Sequence, residues 1–448
     1  MSEKIENKVR KTLISSLTEF IEKGETSPEN YLLGVEMEFF IVKNSSGEAV
    51  TYFEDKGINY ILKKLVDTGW REVEKEDGYI TCLARGENRI NLEPGGQLEF
   101  SFAPADSLSE VKETFFSYCR DILPIVEKHD YSLISLGYQP VSRISSLPLL
   151  PKKRYEHMYN HFEKRGALAH NMMKGTASLQ VSLDFSDEKD FADKFAAAAW
   201  LVPIIYALFD NAPFFEGEPT RSWSIRSQIW QQCDSDRCGL PPGVLERGYS
   251  YEDYAAYIAD MPAIFDPIDH SRYTGDATFA EISKNRELCS ELLDHMLTMS
   301  FTDIRAKRYI EIRMADALPF QCSLGYIALL KGLLYFQRNL DRIAGLARNI
   351  SPSALRECLA GLPHQGIYIT YSGGKTLKEW GDDLFNMAER GLAGGEIKYL
   401  NYLREFFNAY KPPRRAADIK LDEFRKERRN SLSFLNYSNI NQLLQGRI

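Results

Sequence analysis

Along this chain, apolar and polar positions alternate strictly over several short stretches and recur every three to four residues over longer ones. The first pattern predicts strands and the second predicts helices. The run Gly34-Val35-Glu36-Met37-Glu38-Phe39-Phe40, continued by Ile41 and Val42, reads as a strand. It carries Glu36 and Glu38 on one face and Val35, Met37 and Phe39 on the other. Helical spacing is present over 2–23, over 58–68 up to Gly69, over 107–128 behind an Asp-Ser cap region, and over 155–163, 191–209, 324–346, 376–391 and 396–409. Strands are predicted over 79–84, 89–92 and 133–137, with a proline-rich loop over 139–151. The tail from Lys411 is basic and proline-marked, and its charged run over 425–429 reads as a solvated face.

Three further alternating stretches have a wholly polar face. After Glu93-Pro94-Gly95-Gly96, whose glycines let the backbone bend and approach a ligand closely, Gln97 and Glu99 share one side. Over 177–185, Ser178, Gln180, Ser182 and Asp184 alternate with Leu179, Val181, Leu183 and Phe185. Over 307–316, Tyr309, Glu311 and Arg313 lie opposite Ile310, Ile312 and Met314. Each pair taken alone is what a half-exposed sheet face shows. Their joint occurrence favours a common polar cavity. Side-by-side carboxylates repel and call for a cation or a basic partner. Oxygen-only ligands favour a hard cation, and magnesium with a nucleotide polyphosphate suits them best. Glu311 and Arg313 either neutralise each other or place an arginine beside a cation-bound phosphoryl group. Arg226 and Trp230, four apart on a predicted helix, suit a small anionic group or a surface contact equally well. His157, His161 and His170 read as packing or structural residues rather than metal ligands.

Composition narrows the class. The chain has 448 residues, 44% hydrophobic and 26% charged, as in ordinary globular proteins. Its net charge of −8, from 55 basic and 63 acidic residues, carries no general footprint for nucleic acid. The seven cysteines have no CxxC spacing and read as reduced, cytosolic thiols. No run approaches a membrane span, and a cytoplasmic location is expected. Neither a GxxxxGK[ST] loop nor a GxGxxG after a strand is present.

Gly34-x-Glu36-x-Glu38, Glu93-Pro94-Gly95-Gly96-Gln97-x-Glu99, Gln180-Val181-x-Leu183-Asp184-Phe185, Arg226-Ser227-x-Ile229-Trp230 with Asp234, Asp236 and Arg237, and Arg308-Tyr309-x-Glu311-x-Arg313 form an ordered set. Over about 31–403, it closely resembles the plant and proteobacterial type of glutamate–cysteine ligase. The resemblance implies an α+β fold, a curved, mainly antiparallel sheet forming a cradle flanked by helices, related to the glutamine synthetase catalytic fold. It implies one catalytic domain over 1–448, with an N-terminal helix within 1–28 and a C-terminal extension over 410–448. The implied reaction is ATP-dependent joining of the glutamate γ-carboxylate to the amine of cysteine through an acyl phosphate. Glu36, Glu38, Glu93, Gln97, Glu99 and Glu311 are then expected to hold magnesium, and Glu311 and Arg313 to serve catalysis, Arg313 on the transferring phosphoryl group. Arg226, Trp230 and Gln180 are expected to bind substrate. Ser182, Gln228 and Gln231-Gln232-Cys233 depart from the pattern near the presumed amino-acid pocket. The alternatives are a ligase for another acceptor amine and a non-catalytic binding protein. The expected partners are small molecules, without nucleic acid or membrane, on a monomer or homodimer.

Overall fold

The sheet grows outward from the alternating run at 33–43, which forms strand β1 (Leu33–Lys43). The computed structural model describes residues 2–410 and 439–442. After β1 come β2 (Arg71–Glu76), β3 (Tyr79–Arg85), β4 (Asn88–Leu92), β5 (Leu98–Ser101), β6 (Tyr131–Ile134), β7 (Leu179–Leu183), β8 (Ile304–Ala306) and β9 (Ile310–Ile312). They form one nine-stranded sheet in the order β8-β9-β7-β1-β5-β4-β3-β2, with β6 pairing on β1 off this path. Every pairing in it is antiparallel. This is the expected α+β class, with a sheet that stays open.

The apolar face explains the helices behind it. Val35, Met37 and Phe39 share a face with Phe100 and Val181 and are almost fully buried. The helix Leu108–Glu127 lays Phe115 and Tyr118 on them, and Phe115 stacks on Phe320 with ring centroids 3.9 Å apart. Each such side chain contributes about 1.5–3 kcal/mol on burial. Ser107 caps that helix by accepting a bond from the Glu110 amide, as the spacing predicts. The helix Ser2–Glu22 packs against Tyr251–Ala259, burying Leu13, Leu17, Phe20 and Ile21.

Several expectations change. The stretch 324–346 is two helices, Phe320–Leu334 and Gln337–Ala347, because Phe336 turns extended at φ −98° and ψ 106°. The hydroxyl of Tyr335, just before it, donates to the Leu32 carbonyl and accepts from the Asp184 amide, joining the residues that flank β1 and β7. The strand predicted over 133–137 lies at Tyr131–Ile134, where pairing with β1 sets its start. Strand β2 has no apolar alternation; its charges suit an edge strand. The helix Glu188–Leu208 is long and apolar enough to cross a membrane, correcting the reading that no run approaches that length. Its apolar window is 94% buried inside the protein, which is the place of a core helix. All seven cysteines are free thiols. Of the extension over 410–448, Asn439 bridges to Ile134 and Asn441 bonds Leu133. The basic tail and its charged run at 425–429 lie outside the described residues.

Candidate active site

Residues opposite one another in a ladder share a face, so the register of β1 decides what its carboxylates meet. Glu38 lies opposite Glu99 on β5, and Glu36 lies opposite Gln180 on β7. Ser182 lies opposite both Gly34 and Glu311. The four polar-faced stretches thus form one concave surface, and Glu36, Glu38, Glu93, Gln97, Glu99, Gln180, Arg226, Trp230 and Arg313 all line one cavity of about 270 Å³. Gly34 makes the close approach possible: a Cβ there would stand 2.8 Å from the Cβ of Ser182.

A string of hydrogen bonds fixes the floor. Gln180 donates to Glu38 Oε1 at 3.0 Å and accepts from Arg313 Nη1. Arg313 also donates to Glu311 Oε1 at 2.9 Å. Arg305 grips the two oxygens of Glu311 at 2.6 and 3.0 Å. Glu311 therefore sits behind the cavity wall between two arginines. Arg226 is carried by the helix Ile225–Gln231, entered through Ser224 in the left-handed region at φ +51°. Its Nη1 donates to the carbonyls of Arg313 and Met314, and its guanidinium lies over the Trp230 ring at 5.4 Å. The shared helix face expected from their spacing is realised.

Charge is separated across this space. Glu38 and Glu99 are buried, whereas Glu36 and Glu93 remain partly accessible from the cavity. None of the four forms an ion pair among the described residues. Burial first, and then the neighbouring carboxylates, push Glu36 well up, Glu38 up to about 8 and Glu93 up to about 7. Burial acts on Glu311 in the same direction. There Arg305 and Arg313 outweigh it and hold the carboxyl at about 2.

A divalent cation fits this donor set by chemistry and charge. Among the described residues, no three His, Cys, Asp or Glu side chains form a ready-made cage. Magnesium asks for less: one or two carboxylates, with phosphate oxygens and water completing its shell. Gln97 lines the cavity with both ends of its amide hydrogen-bonded. Its Oε1 accepts from Gly95 N, and its Nε2 donates to the carbonyls of Met173 and Thr176, so its amide clamps the Pro-Gly-Gly bend.

Sequence reasoning missed Arg305 and Arg154, both of which line the cavity. Arg305 stands in an alternating Ile304-Arg305-Ala306 run, but its place opposite Glu311 depends on the turn after it. Arg154 follows the proline-rich loop and lies over Tyr155 at 4.9 Å. His161 bonds buried Asp234, which also holds Arg237, and His170 stacks on Tyr159. His157 reaches the Ser271 carbonyl. Of the departures from the family pattern, Gln228 bonds Ser222 and the Trp223 carbonyl, which lie just before its own helix.

Comparison with known proteins shows the family and the fold. The description "Glutamate-cysteine ligase family 2 (GCS2)" matches residues 32–355. A chloroplastic glutamate–cysteine ligase of Brassica juncea is 33% identical over 86% of this chain and 76% of its own length. The chloroplastic enzyme of Arabidopsis thaliana is also 33% identical, over 86% and 75%. Glutamate–cysteine ligase (gshA) of Francisella tularensis, solved in complex with AMP, superposes with a TM-score of 0.57 at 13% identity. It covers 93% of this chain and 89% of its own, and shares the fold. The plant relatives are chloroplastic, which overturns the expected cytoplasmic location; composition and thiol usage do not specify a compartment. With the family match running over residues 32–355 and a relative 33% identical over 86% of the chain, the protein belongs to glutamate–cysteine ligase family 2, enzymes that join glutamate to cysteine.

Proposed function

We propose that the cavity joins the glutamate γ-carboxylate to the amine of cysteine, with ATP as co-substrate and magnesium as its cation. One observation carries this reading: four carboxylates that form no ion pair among the described residues face Arg226, Trp230 and Arg313 across a single recess. Glu36, Glu38, Glu93 and Glu99 are the residues to hold magnesium, which supplies neutralisation of polyphosphate charge when bound. Gln97 keeps the bend bearing Glu93 in place. Arg313, oriented by Gln180 and Glu311, stabilises the phosphoryl group as it passes to the γ-carboxylate. Glu311 acts as a positioning residue, because its oxygens are engaged by Arg305 and Arg313. Arg226 takes the α-carboxylate of glutamate, and the Trp230 ring covers its planar guanidinium. At the apolar end, Met158, Phe265, Met299 and Phe301 offer walls for the nucleotide base.

Purified protein incubated with ATP, magnesium, glutamate and cysteine tests this, with ADP and product mass as readouts. ADP release that depends on both amino acids, with γ-glutamylcysteine formed, is expected. ADP release driven by cysteine without that product overturns the proposal.

A further inference from the structure

Beside the reaction cavity, and sharing Trp230 with it as a wall, lies a second recess of about 580 Å³. It is bounded by the helix Ile225–Gln231, the loop over 239–246 and the helix Pro352–Gln365. On that last helix, Leu355 and Leu359 stand four apart on one face and line the recess, and Val244 of the loop faces them. The ligation as described above makes no use of this space.

Its buried charge is Asp303, which is 8% exposed. One carboxylate oxygen accepts a 2.5 Å bond from Tyr206 Oη, and Asp303 forms no salt bridge among the described residues. A carboxylate in apolar surroundings is costly unless a cation meets it. The cationic charges that act on it are Arg226 and Arg313, yet both donate elsewhere: Arg226 to main-chain carbonyls, Arg313 to Gln180 and Glu311. The Asp303 carbonyl accepts from the Arg313 amide at 3.0 Å, so this carboxylate is anchored to the backbone of the phosphoryl-binding arginine.

We infer that the recess takes the acceptor of the ligation, an amino acid or primary amine whose ammonium pairs with Asp303 and whose apolar group, bulkier than that of cysteine, packs between Val244, Leu355 and Leu359. The inference rests on the proposed ligation and adds to it a range of acceptors. Placement supports it, because the recess shares Trp230 with the reaction cavity and the main chain of Asp303 is hydrogen-bonded to that of Arg313, which lines the cavity. Size supports it as well: the recess has far more room than a single thiol-bearing carbon fills, and apolar walls reward each added methylene.

Initial rates with ATP, magnesium and glutamate, using cysteine, leucine, methionine or phenethylamine as acceptor, test it, with products identified by mass. At least one bulkier acceptor is expected to give its γ-glutamyl adduct with kcat/KM within about ten-fold of that for cysteine. Asp303→Asn is expected to raise the acceptor KM about ten-fold or more, with the glutamate KM within about two-fold of wild type. Leu359→Trp, which fills the recess, is expected to lower kcat/KM for the bulkier acceptor about ten-fold more than for cysteine. Turnover of wild-type protein with cysteine but with none of the bulkier acceptors overturns the inference and leaves the ligation standing. No product with any amine overturns both. A folded Leu359→Trp that loses all acceptors equally overturns the assignment of the pocket.

Discussion

Two carboxylates on one strand face cost free energy that only a counter-charge removes, and here the nearest arginines are already engaged with other partners. Glu38 illustrates it: its oxygens accept from the Ser178 amide and from Gln180, and among the described residues no cationic side chain bonds it. Glu36→Gln or Glu38→Gln should therefore lower kcat about a hundred-fold or more while leaving the circular dichroism spectrum intact. Near-normal rates in both would remove the metal assignment. Arg305→Gln should act less directly, lowering kcat about ten-fold or more with KM for ATP little changed, since it braces Glu311 and through it Arg313. At this scale much was legible. The pairing of Arg226 with Trp230 follows from a helical interval, and the shared face of Glu36 and Glu38 follows from a strand interval. The clamp made by Gln97 was not legible, because the carbonyls that its amide binds belong to Met173 and Thr176, far along the chain.

Among the elements, the contact between β1 and β7 limits the site most tightly, because both carry polar ligands toward the same floor. Gly34→Ala should destabilise the protein by about 1–3 kcal/mol, measured by urea unfolding, since its Cβ would meet the Cβ of Ser182 at 2.8 Å. Adding Ser182→Gly should recover most of the loss, and failure to do so would place the strain elsewhere. Alternation revealed seven of the nine strands in type, with shifted ends at β6. Strand β2 was invisible because its exposed charges carry no period, and β8 because three residues are too few to show one. The break at Phe336 was hidden for a different reason. Helical spacing continues through it, while the hydroxyl of the neighbouring Tyr335 is committed to Leu32 and Asp184 beside β1 and β7.

For the whole molecule, the acidic cluster ties stability to pH and to cations. Unfolded carboxylates of this type ionise near 4.5, whereas the folded protein pushes Glu93 up to about 7 and Glu38 up to about 8. Between those values the folded state holds protons that the unfolded chain has released, so stability of the cation-free protein should fall as pH rises from about 4.5 to 8. Glu311 has the opposite sign: its contribution is present above about 4.5 and is lost as pH falls toward 2. Thermal melts should show magnesium raising Tm more at pH 8 than at pH 5. Equal shifts at both would mean that the cation does not meet these carboxylates. By itself the sequence determined the strand and helix periods, the polar faces and an ordered set of motifs specific enough to indicate the family. Those are properties of neighbouring residues and of their order. Only the tertiary structure decided which faces meet, placing Arg305 opposite Glu311, closing the amide of Gln97 on a distant helix, burying the membrane-length helix, and opening a recess around Asp303. The physical reason is that ladder register and packing join residues that are not sequence neighbours, 6 positions apart for Arg305 and Glu311 and 76 for Gln97 and Met173, and local periodicity carries no information about such partners.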